Sequence, residues 1–366
     1  MLRANPKIII SGGGTGGHIF PAIAIAKALM KRVDSAEILF VGAQGRMEME
    51  RVPLAGFQIE GLWISGLQRR ITIKNLLFPI KLLFSLFKAQ QIIKRFKPDI
   101  VIGVGGYASG PTLRMAMRQK VPTLIQEQNS YPGITNRLLA KKVNSICVAY
   151  DHTDKYFPKD KIVKTGNPVR QELVDVSGKR ELGREFFNLD SRQVVLVVGG
   201  SQGAIAINKS IENLLPEIIK NDLQLIWQTG TLFYDQALKN ANDQIKVFKF
   251  IDSMDLAYAV ADIVISRAGA IAISELCLVK KPVIFIPLPS AAEDHQTKNA
   301  MALVELEAAL MIKEINIGEE LGPMLKDLSS NKELQHKLTT NIGKLAIPNA
   351  SEMIVDEIMK LLSNKN

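Results

Sequence analysis

A glycine-rich junction near the N-terminus constrains the fold of this 366-residue chain more than any other feature. Residues 7–10 form an apolar run that predicts a short strand, and residues 11–18 (SGGGTGGH) precede a helical pattern that begins at Ile19. Glycine lets the backbone approach a ligand, and a helix N-terminus presents its N–H groups to an anion. The junction therefore predicts a strand–loop–helix unit that binds an anion, most often phosphate. His18 at its rim can move a proton near neutral pH. A tight turn without a ligand is the alternative, but a turn needs fewer glycines.

The same loop also fits the pattern of a dinucleotide site, through Gly12, Gly14 and Gly17. An NAD site expects an acidic residue at the end of the second strand, about 20 residues further on. The predicted second strand, residues 38–41, ends in residues 42–44 (GAQ), which contain no carboxylate. An NAD-dependent oxidoreductase is therefore disfavoured. A P-loop is disfavoured as well, because no Lys-Ser or Lys-Thr closes the loop.

Short apolar runs alternate with helical patterns along the whole chain. The strand candidates are residues 7–10, 38–41, 100–104, 123–126, 145–148, 193–198, 223–227, 245–248, 263–265 and 283–286. This alternation predicts parallel sheets with helices on both faces, and strands buried on both sides need no polar alternation. Because a second strand and glycine loop follow at residues 194–204, we expect an α/β fold of two doubly wound domains. The expected first domain is residues 1–168 completed by a C-terminal helix at 347–366, and the second is residues 169–346.

A basic and apolar segment lies between Gly66 and Pro98, within a chain of net charge +10. It contains no acidic residue, and Lys74, Lys81, Lys88 and Arg95 recur at every seventh position, which forms one stripe on a helix. The charges are too frequent for a transmembrane span, so the segment predicts a helix on the surface of an anionic bilayer. The predicted membrane-facing residues are Lys74, Phe78, Lys81, Leu82, Phe84 and Lys88. A domain helix with a solvated edge is the alternative. Nucleic acid is not an expected partner, because no Tyr or Trp accompanies these basic residues.

The cysteines and histidines do not predict a metal site or a cofactor. Cys147 and Cys277 lie in apolar surroundings, which favours buried, reduced thiols and a cytoplasmic protein. The four histidines are scattered, and no Asp-x-Asp pair is present to hold a metal on a nucleotide sugar. A strand begins by residue 7, so no secretory signal peptide is expected.

A series of motifs, more specific than any single loop, runs along the chain. They are GGTGGH at 13–18, GGYASGP at 105–111, EQN at 127–129, TGNPVR at 165–170, GGSQGA at 199–204, FIDSM at 250–254, SRAGA at 266–270 with SE at 274–275, and DHQ at 294–296. In this order, and over nearly the whole chain, they resemble glycosyltransferase family 28, the enzymes that complete lipid II in bacterial cell-wall synthesis. The resemblance implies the GT-B fold, in which two Rossmann-like domains with parallel sheets face a cleft. The first would bind the acceptor and the membrane, and the second the donor.

The resemblance also implies a reaction and its partners. N-acetylglucosamine (GlcNAc) would pass from UDP-GlcNAc to the C4 hydroxyl of the N-acetylmuramyl unit of lipid I, with inversion at the anomeric carbon. Lipid I is undecaprenyl-pyrophosphoryl-MurNAc-pentapeptide, and the product would be lipid II. No cofactor is implied. The enzyme would sit peripherally on the cytoplasmic face of the bacterial inner membrane, beside other proteins of cell-wall synthesis that the sequence does not identify.

The resemblance implies donor-binding residues at ten positions: Thr15, Gly16, Gly17, Asn129, Arg170, Ser201, Ile251, Ala270, Glu275 and Gln296. Arg170 and Ser201 would meet the nucleotide diphosphate, and helix ends rather than a metal would help to neutralise it. Ile251 would contact the uracil edge through its backbone, and Asn129 and Gln296 would hold the sugar. Glu275, expected to open a helix, would accept from ribose hydroxyls. Its alternative role is a first-turn acid that only stabilises that helix.

The acceptor side is predicted around Gly105, Gly106 and Tyr107, which would cradle the diphosphate of lipid I. His18 is the candidate catalytic residue, as the general base that takes the proton of the attacking hydroxyl. A hydrogen-bond donor to the diphosphate is its competing role.

Two further classes of function compete with this interpretation. One is another UDP-sugar enzyme of the same fold, such as a glycolipid synthase or a UDP-GlcNAc 2-epimerase, which TGNPVR and GGYASGP disfavour. The other is a membrane-bound scaffold without activity, which the intact loops and His18 disfavour.

Overall fold

The computed structural model describes residues 5–66, 77–200, 202–291 and 294–363. The chain divides into two compact units. The first unit comprises Met1–Arg170 and Asn349–Asn366, and the second unit comprises Gln171–Pro348. Both junctions lie two residues later than the boundaries expected from the sequence.

Each unit is built on a parallel sheet. Within the described residues the first sheet has the order β3-β2-β1-β4-β5-β6-β7 and the second the order β10-β9-β8-β11-β12-β13. The strands of the first unit are β1 Lys7–Ser11, β2 Glu37–Ala43, β3 Gln58–Leu62, β4 Ile100–Gly103, β5 Thr123–Glu127, β6 Ser145–Val148 and β7 Ile162–Lys164. Those of the second are β8 Gln193–Val198, β9 Leu223–Gln228, β10 Ile245–Phe248, β11 Ile263–Ser266, β12 Val283–Phe285 and β13 Leu310–Met311. In both sheets the order reverses beside the first strand, which is the switch point where such sheets bind ligands.

Helices cover the sheets. In chain order they are α1 Gly16–Arg32, α2 Glu48–Leu54, α3 Phe78–Phe96, α4 Ser109–Arg118, α5 Ile134–Leu139, α6 Arg180–Phe187, α7 Ile205–Lys220, α8 Tyr234–Leu238, α9 Met254–Val260, α10 Ala270–Val279, α11 His295–Val304, α12 Ile317–Ser330, α13 Lys332–Gly343 and α14 Ala350–Ser363. The last helix returns to the first unit, where Ile354 and Ile358 join the same buried cluster as Ile8 and Ile10.

Strand β1 shows why the sheets can be recognised in the sequence. Ile9 belongs to the apolar cluster on one face of the sheet, whereas Ile8 and Ile10 belong to the cluster on the other. Helices on both faces bury every residue of such a strand, so the run is apolar without alternation. The predicted doubly wound α/β fold is confirmed, and all ten strand candidates coincide with strands to within two residues.

Three strands were not predicted: β3, β7 and β13. Each lies at an edge of its sheet, and none is fully buried along its length. An edge strand packs on fewer neighbours, so its sequence carries little continuous apolar signal. Both cysteines are buried and form no disulfide.

Candidate active site

The first glycine loop joins β1 to α1, and its helix begins earlier than the sequence predicted. The helix starts at Gly16 rather than Ile19, because the carbonyl of Thr15 accepts from the N–H groups of His18 (3.1 Å) and Ile19 (3.2 Å). Gly13 and Gly14 adopt positive φ angles of 142° and 89° and form the turn itself. His18 therefore lies in the first turn of α1.

The ring of His18 packs over the second glycine loop. A β-carbon at Gly105 would lie 2.8 Å from His18 Nε2, so only glycine permits this approach. On its other side, His18 Nδ1 is 3.2 Å from Thr15 Oγ1. The side chain is partly exposed. The structure thus brings the candidate base next to the predicted acceptor loop.

The two glycine loops also touch through their backbones. A β-carbon at Gly106 would lie 2.2 Å from the carbonyl oxygen of Gly13. Tyr107 follows with 46% of its surface exposed, and its ring faces the Cα of Gly14. The three predicted acceptor residues therefore line one edge of the first glycine loop.

Glu48 lies against this loop, although no motif in the sequence selects it. Its carboxylate is 1% exposed, and it accepts from the N–H of Gly14 (3.0 Å, Oε2) and the N–H of Ala43 (2.9 Å, Oε1). Residues 42–44 contain no acidic residue, as the sequence shows, but α2 turns Glu48 back to the end of β2. Both oxygens are engaged by backbone, so Glu48 offers no free acceptor to a ribose. The loop also has one N–H fewer to offer a phosphate than the sequence predicts, because the Gly14 N–H donates to Glu48.

A third loop, after β5, is organised by Glu127. This buried carboxylate accepts from the N–H and the amide of Asn129 (3.0 and 3.2 Å), from the Gly133 N–H (3.0 Å) and from the Asn136 amide (2.9 Å). Burial raises the pKa of Glu127, although these hydrogen bonds oppose the shift. Asn129, a predicted sugar contact, is thereby fixed in orientation and stays partly exposed.

The segment TGNPVR is tied to this third loop. Asn167 accepts from the amide of Gln126 (3.2 Å) and donates to the carbonyl of Gln128 (3.1 Å). The segment ends at Arg170, whose guanidinium lies 5.6 Å from the ring centre of Phe20 on α1. Arg170 is therefore held beside the helix that carries His18.

In the second unit, Gln228 links two of the predicted donor segments. Its amide donates to the carbonyl of Gly200 (3.0 Å), and its oxygen accepts from the N–H of Ile251 (2.9 Å). With this N–H engaged, a backbone contact between Ile251 and uracil would have to use the carbonyl. Ser201 lies outside the described residues.

Helix α10 corrects one expectation about Glu275. The helix begins at Ala270, with Gly269 in extended conformation as its N-cap, so Glu275 stands in the second turn rather than at the helix start. Its carboxylate is buried and accepts from the hydroxyl of Tyr258 (3.3 Å). A role as a first-turn acid is therefore wrong, and Ala270 occupies the helix N-terminus instead.

Gln296, in α11, uses its side-chain oxygen to accept from the N–H of Leu288 (3.0 Å). This bond fixes the side chain near the end of β12. Arg267, in the SRAGA motif, is buried rather than a surface charge. It is 8% exposed, donates to the carbonyls of Ile286 and Pro287 (3.0 and 3.1 Å), and pairs with Glu314.

The basic stripe on α3 is largely paired rather than free. Glu60 on β3 binds both Lys88 (3.6 Å) and Arg95, and Lys81 donates to Ser65 Oγ (3.1 Å). Several large apolar residues of the helix are exposed. They are Ile80, Leu83, Phe84 and Phe87, spaced as one helical face that we call the apolar face of α3.

Among the predicted membrane-facing residues, Phe84 belongs to this apolar face. Leu82 does not, because it packs against the core, and Phe78 is only partly exposed. Lys74 lies outside the described residues. No helix in the described part of the chain is both long and apolar enough to span a bilayer. Nor do the described residues include a group of three or more His, Cys, Asp or Glu side chains arranged to hold a metal ion.

Two Rossmann-like units, with glycine loops at the carboxyl ends of their central strands, define the GT-B fold. The glycosyltransferase family 28 N-terminal domain matches residues 8–148, and the glycosyltransferase family 28 C-terminal domain matches residues 194–354. The chain belongs to glycosyltransferase family 28, as its motifs predicted.

The sequence similarity to its relatives extends over nearly the full length of both chains. A protein of Christiangramia forsetii is 54% identical over 365 residues, which is 100% of both chains. A protein of Cytophaga hutchinsonii is 53% identical over 98% of this chain and 97% of its own. Both are named UDP-N-acetylglucosamine–N-acetylmuramyl-(pentapeptide) pyrophosphoryl-undecaprenol N-acetylglucosamine transferase.

Solved structures agree with the fold. MurG of Acinetobacter baumannii is 32% identical, with a TM-score of 0.74 over 97% of this chain and 99% of its own. UDP-GlcNAc 2-epimerase of Neisseria meningitidis, solved with UDP-GlcNAc bound, has a TM-score of 0.69 over 97% of this chain and 100% of its own. At 16% identity the second likeness concerns the fold alone.

Proposed function

We propose that this protein transfers GlcNAc from UDP-GlcNAc to the C4 hydroxyl of MurNAc in lipid I and so produces lipid II. The observation that carries the proposal is the 54% identity, over the full length of both chains, to a relative named for this transfer. The geometry is compatible, because His18 is partly exposed beside the acceptor loop of Gly105–Tyr107. A UDP-GlcNAc 2-epimerase shares only the fold.

The two substrates would be divided between the units. The second unit would bind the donor, with the uridine near Ile251 and Glu275 and the diphosphate at the loop 199–204 and the N-terminus of α10 at Ala270. A helix N-terminus favours an anion through its unpaired N–H groups and its dipole. Gln296 would contact the sugar. The first unit would bind lipid I at Gly105, Gly106 and Tyr107.

From the first unit, Thr15, Gly16 and Gly17 would contribute donor contacts. The first-turn N–H groups of α1 at Gly16 and Gly17 would face the diphosphate or the sugar. Asn129, fixed by Glu127, would donate to a sugar hydroxyl or accept from one. Arg170 would add a charged fork to the diphosphate as negative charge develops there.

In the proposed mechanism, His18 Nε2 takes the proton from the C4 hydroxyl as that oxygen attacks the anomeric carbon. The new C–O bond forms on one face of the sugar, the bond to the UDP oxygen breaks on the other, and the configuration inverts. For Nε2 to accept a proton, Nδ1 must carry the hydrogen, which it can donate to Thr15 Oγ1 at 3.2 Å. Arg170 and the helix N-termini stabilise the charge that develops on the UDP leaving group.

The acceptor is a lipid, so the protein would work at a membrane surface, on the cytoplasmic side where its donor is made. The apolar face of α3 would enter the bilayer interface, with Lys81 and Lys94 at its margins near anionic head groups. Phe84 and Phe87 expose 60% and 61% of their surface, which is costly in water and favourable in the interface. The paired Lys88 would contribute less than the sequence suggested.

The test is transfer of labelled GlcNAc from UDP-GlcNAc to lipid I, with UDP-GalNAc as the control donor. The expected result is labelled lipid II from the first donor and little from the second. Conversion of UDP-GlcNAc to a ManNAc product without transfer would instead assign the chain to the epimerases. Absence of both reactions in a folded, UDP-binding protein would support a scaffold.

A further inference from the structure

Glu48 stands out among the buried charged residues because neither the motifs nor the proposed mechanism uses it. The side chain comes from the first residue of α2, is 1% exposed, and points under the first glycine loop. Burying a carboxylate is costly unless hydrogen bonds satisfy it. Here both oxygens are satisfied by backbone N–H groups, one from Gly14 in the loop and one from Ala43 at the end of β2.

The hydrogen bond from Gly14 to Glu48 fixes the loop at its two glycines of positive φ, where the backbone has the greatest conformational freedom. Gly13 and Gly14 both have positive φ, and a β-carbon at Gly13 would lie 2.1 Å from Glu48 Oε1. The backbone of Gly13 in turn contacts Gly106 of the acceptor loop. One residue after Gly14, Thr15 occupies the N-cap position of α1, and its Oγ1 lies 3.2 Å from His18 Nδ1.

We propose that Glu48 is a positioning residue, which holds the first glycine loop in the conformation that seats His18 over Gly105. The role in catalysis rests on the proposed function, whereas the role in holding the loop does not. Small displacements of a catalytic group reduce turnover strongly, so a loosened loop should lower kcat.

The test substitutes Glu48→Gln, with Glu50→Gln as the matched control, because Glu50 is an exposed glutamate on the same helix. A glutamine amide keeps one acceptor oxygen but turns an NH₂ group towards the second N–H, which then has no partner. The first readout is amide hydrogen exchange of peptides that span residues 11–18. Exchange in Glu48→Gln should be about tenfold faster than in the parent, because local opening is easier, and unchanged in Glu50→Gln.

The second readout is turnover in a double-mutant cycle with His18→Ala. In the parent background Glu48→Gln should lower kcat by about tenfold to a hundredfold. In the His18→Ala background the same change should cost less than about threefold, because Glu48 acts through a residue that is already gone. Calorimetric titration with UDP should give the same stoichiometry in all variants, which separates slow turnover from a loss of folded protein.

Unchanged loop exchange in Glu48→Gln would overturn the proposal, as would an equal loss of kcat in both backgrounds. If Glu48→Gln does not fold, Glu48→Asp is the second variant, since its shorter side chain can reach only one of the two N–H groups. Failure of both to fold would make Glu48 a folding residue and refute a positioning role. If the parent does not transfer GlcNAc to lipid I, the proposed function fails, while faster loop exchange would still establish that Glu48 holds the loop.

Discussion

Helix α3 should bind anionic membranes mainly through the exposed side chains of its apolar face, and less through the basic stripe. The perturbation is Phe87→Ser, and Phe186→Ser in the second unit is the matched control. Phe87 is 61% exposed and Phe186 is 58% exposed, so the two changes remove similar apolar surface from water. Only Phe87 belongs to the face that we expect to enter the bilayer.

The size of the effect follows from the exposed area. A phenylalanine offers roughly 200 Å² of surface, of which about 120 Å² is exposed at Phe87. At about 25 cal/mol per Å², complete removal from water would contribute about 3 kcal/mol. If the interface covers half of this area, about 1.5 kcal/mol is lost in Phe87→Ser, which is about a tenfold drop in the partition coefficient. Leu83→Ser, at a site 67% exposed, should give a somewhat smaller drop.

The assay is sedimentation with vesicles of phosphatidylglycerol and phosphatidylcholine over a range of lipid concentrations. Turnover of a soluble acceptor analogue is followed in parallel and should not change. Raising the salt concentration should weaken binding only modestly, because Glu60 already pairs with Lys88 and Arg95. Parent-like binding of Phe87→Ser, or an equal loss in Phe186→Ser, would refute the assignment of this face. A charge reversal at Lys81 and Lys88 that removes all binding would restore the importance of the stripe.

Three other predictions concern chemistry and stability. His18→Ala should lower kcat with little change in UDP affinity by calorimetry, and a parallel collapse of UDP binding would favour its role as a diphosphate donor. Chelation with EDTA should leave most activity, because Arg170 and helix ends meet the leaving-group charge, and a complete loss rescued by magnesium would contradict this. Burial lowers the pKa of Lys281 to about 8, whereas the unfolded chain has an ordinary lysine pKa. Below pH 8 the buried charge therefore destabilises the folded protein. This destabilisation decreases as the pH rises from 8 towards the pKa of lysine in the unfolded chain. Lys281→Met should therefore raise the free energy of unfolding by about 1–3 kcal/mol at pH 7, and urea titrations followed by tryptophan fluorescence should show that gain vanish near pH 10.5.

The sequence predicts those parts of the fold that depend on local pattern. Residues 8–10 and 194–198 are apolar throughout, because helices bury both faces of their strands, and this signal is visible without a structure. The glycine loops are also visible in the sequence, because a positive φ at Gly13 and a close approach at Gly105 both require glycine.

Contacts between residues that are far apart in the sequence cannot be predicted from local pattern. Glu48 follows an unremarkable turn, and nothing nearby in the sequence shows that its carboxylate reaches Gly14, 34 positions earlier. Glu60 lies on β3, before the basic segment in the sequence, and its carboxylate pairs with Lys88 and Arg95 of that segment. Glu275 is expected to open its helix, but α10 begins at Ala270, and one turn of helix separates a first-turn acid from the buried carboxylate that is observed.

The return of α14 to the first unit has a consequence for biosynthesis. The polypeptide leaves that unit after Arg170 and re-enters it at Asn349, so the second unit is an insertion within the first. On the ribosome the inserted unit emerges whole and can fold at once, whereas the first must wait for its last helix, with Ile354 and Ile358, to cover β1. Termination between Asn349 and Ile354 would thus harm the unit that was translated first, and it would leave the inserted unit, which was translated later, intact.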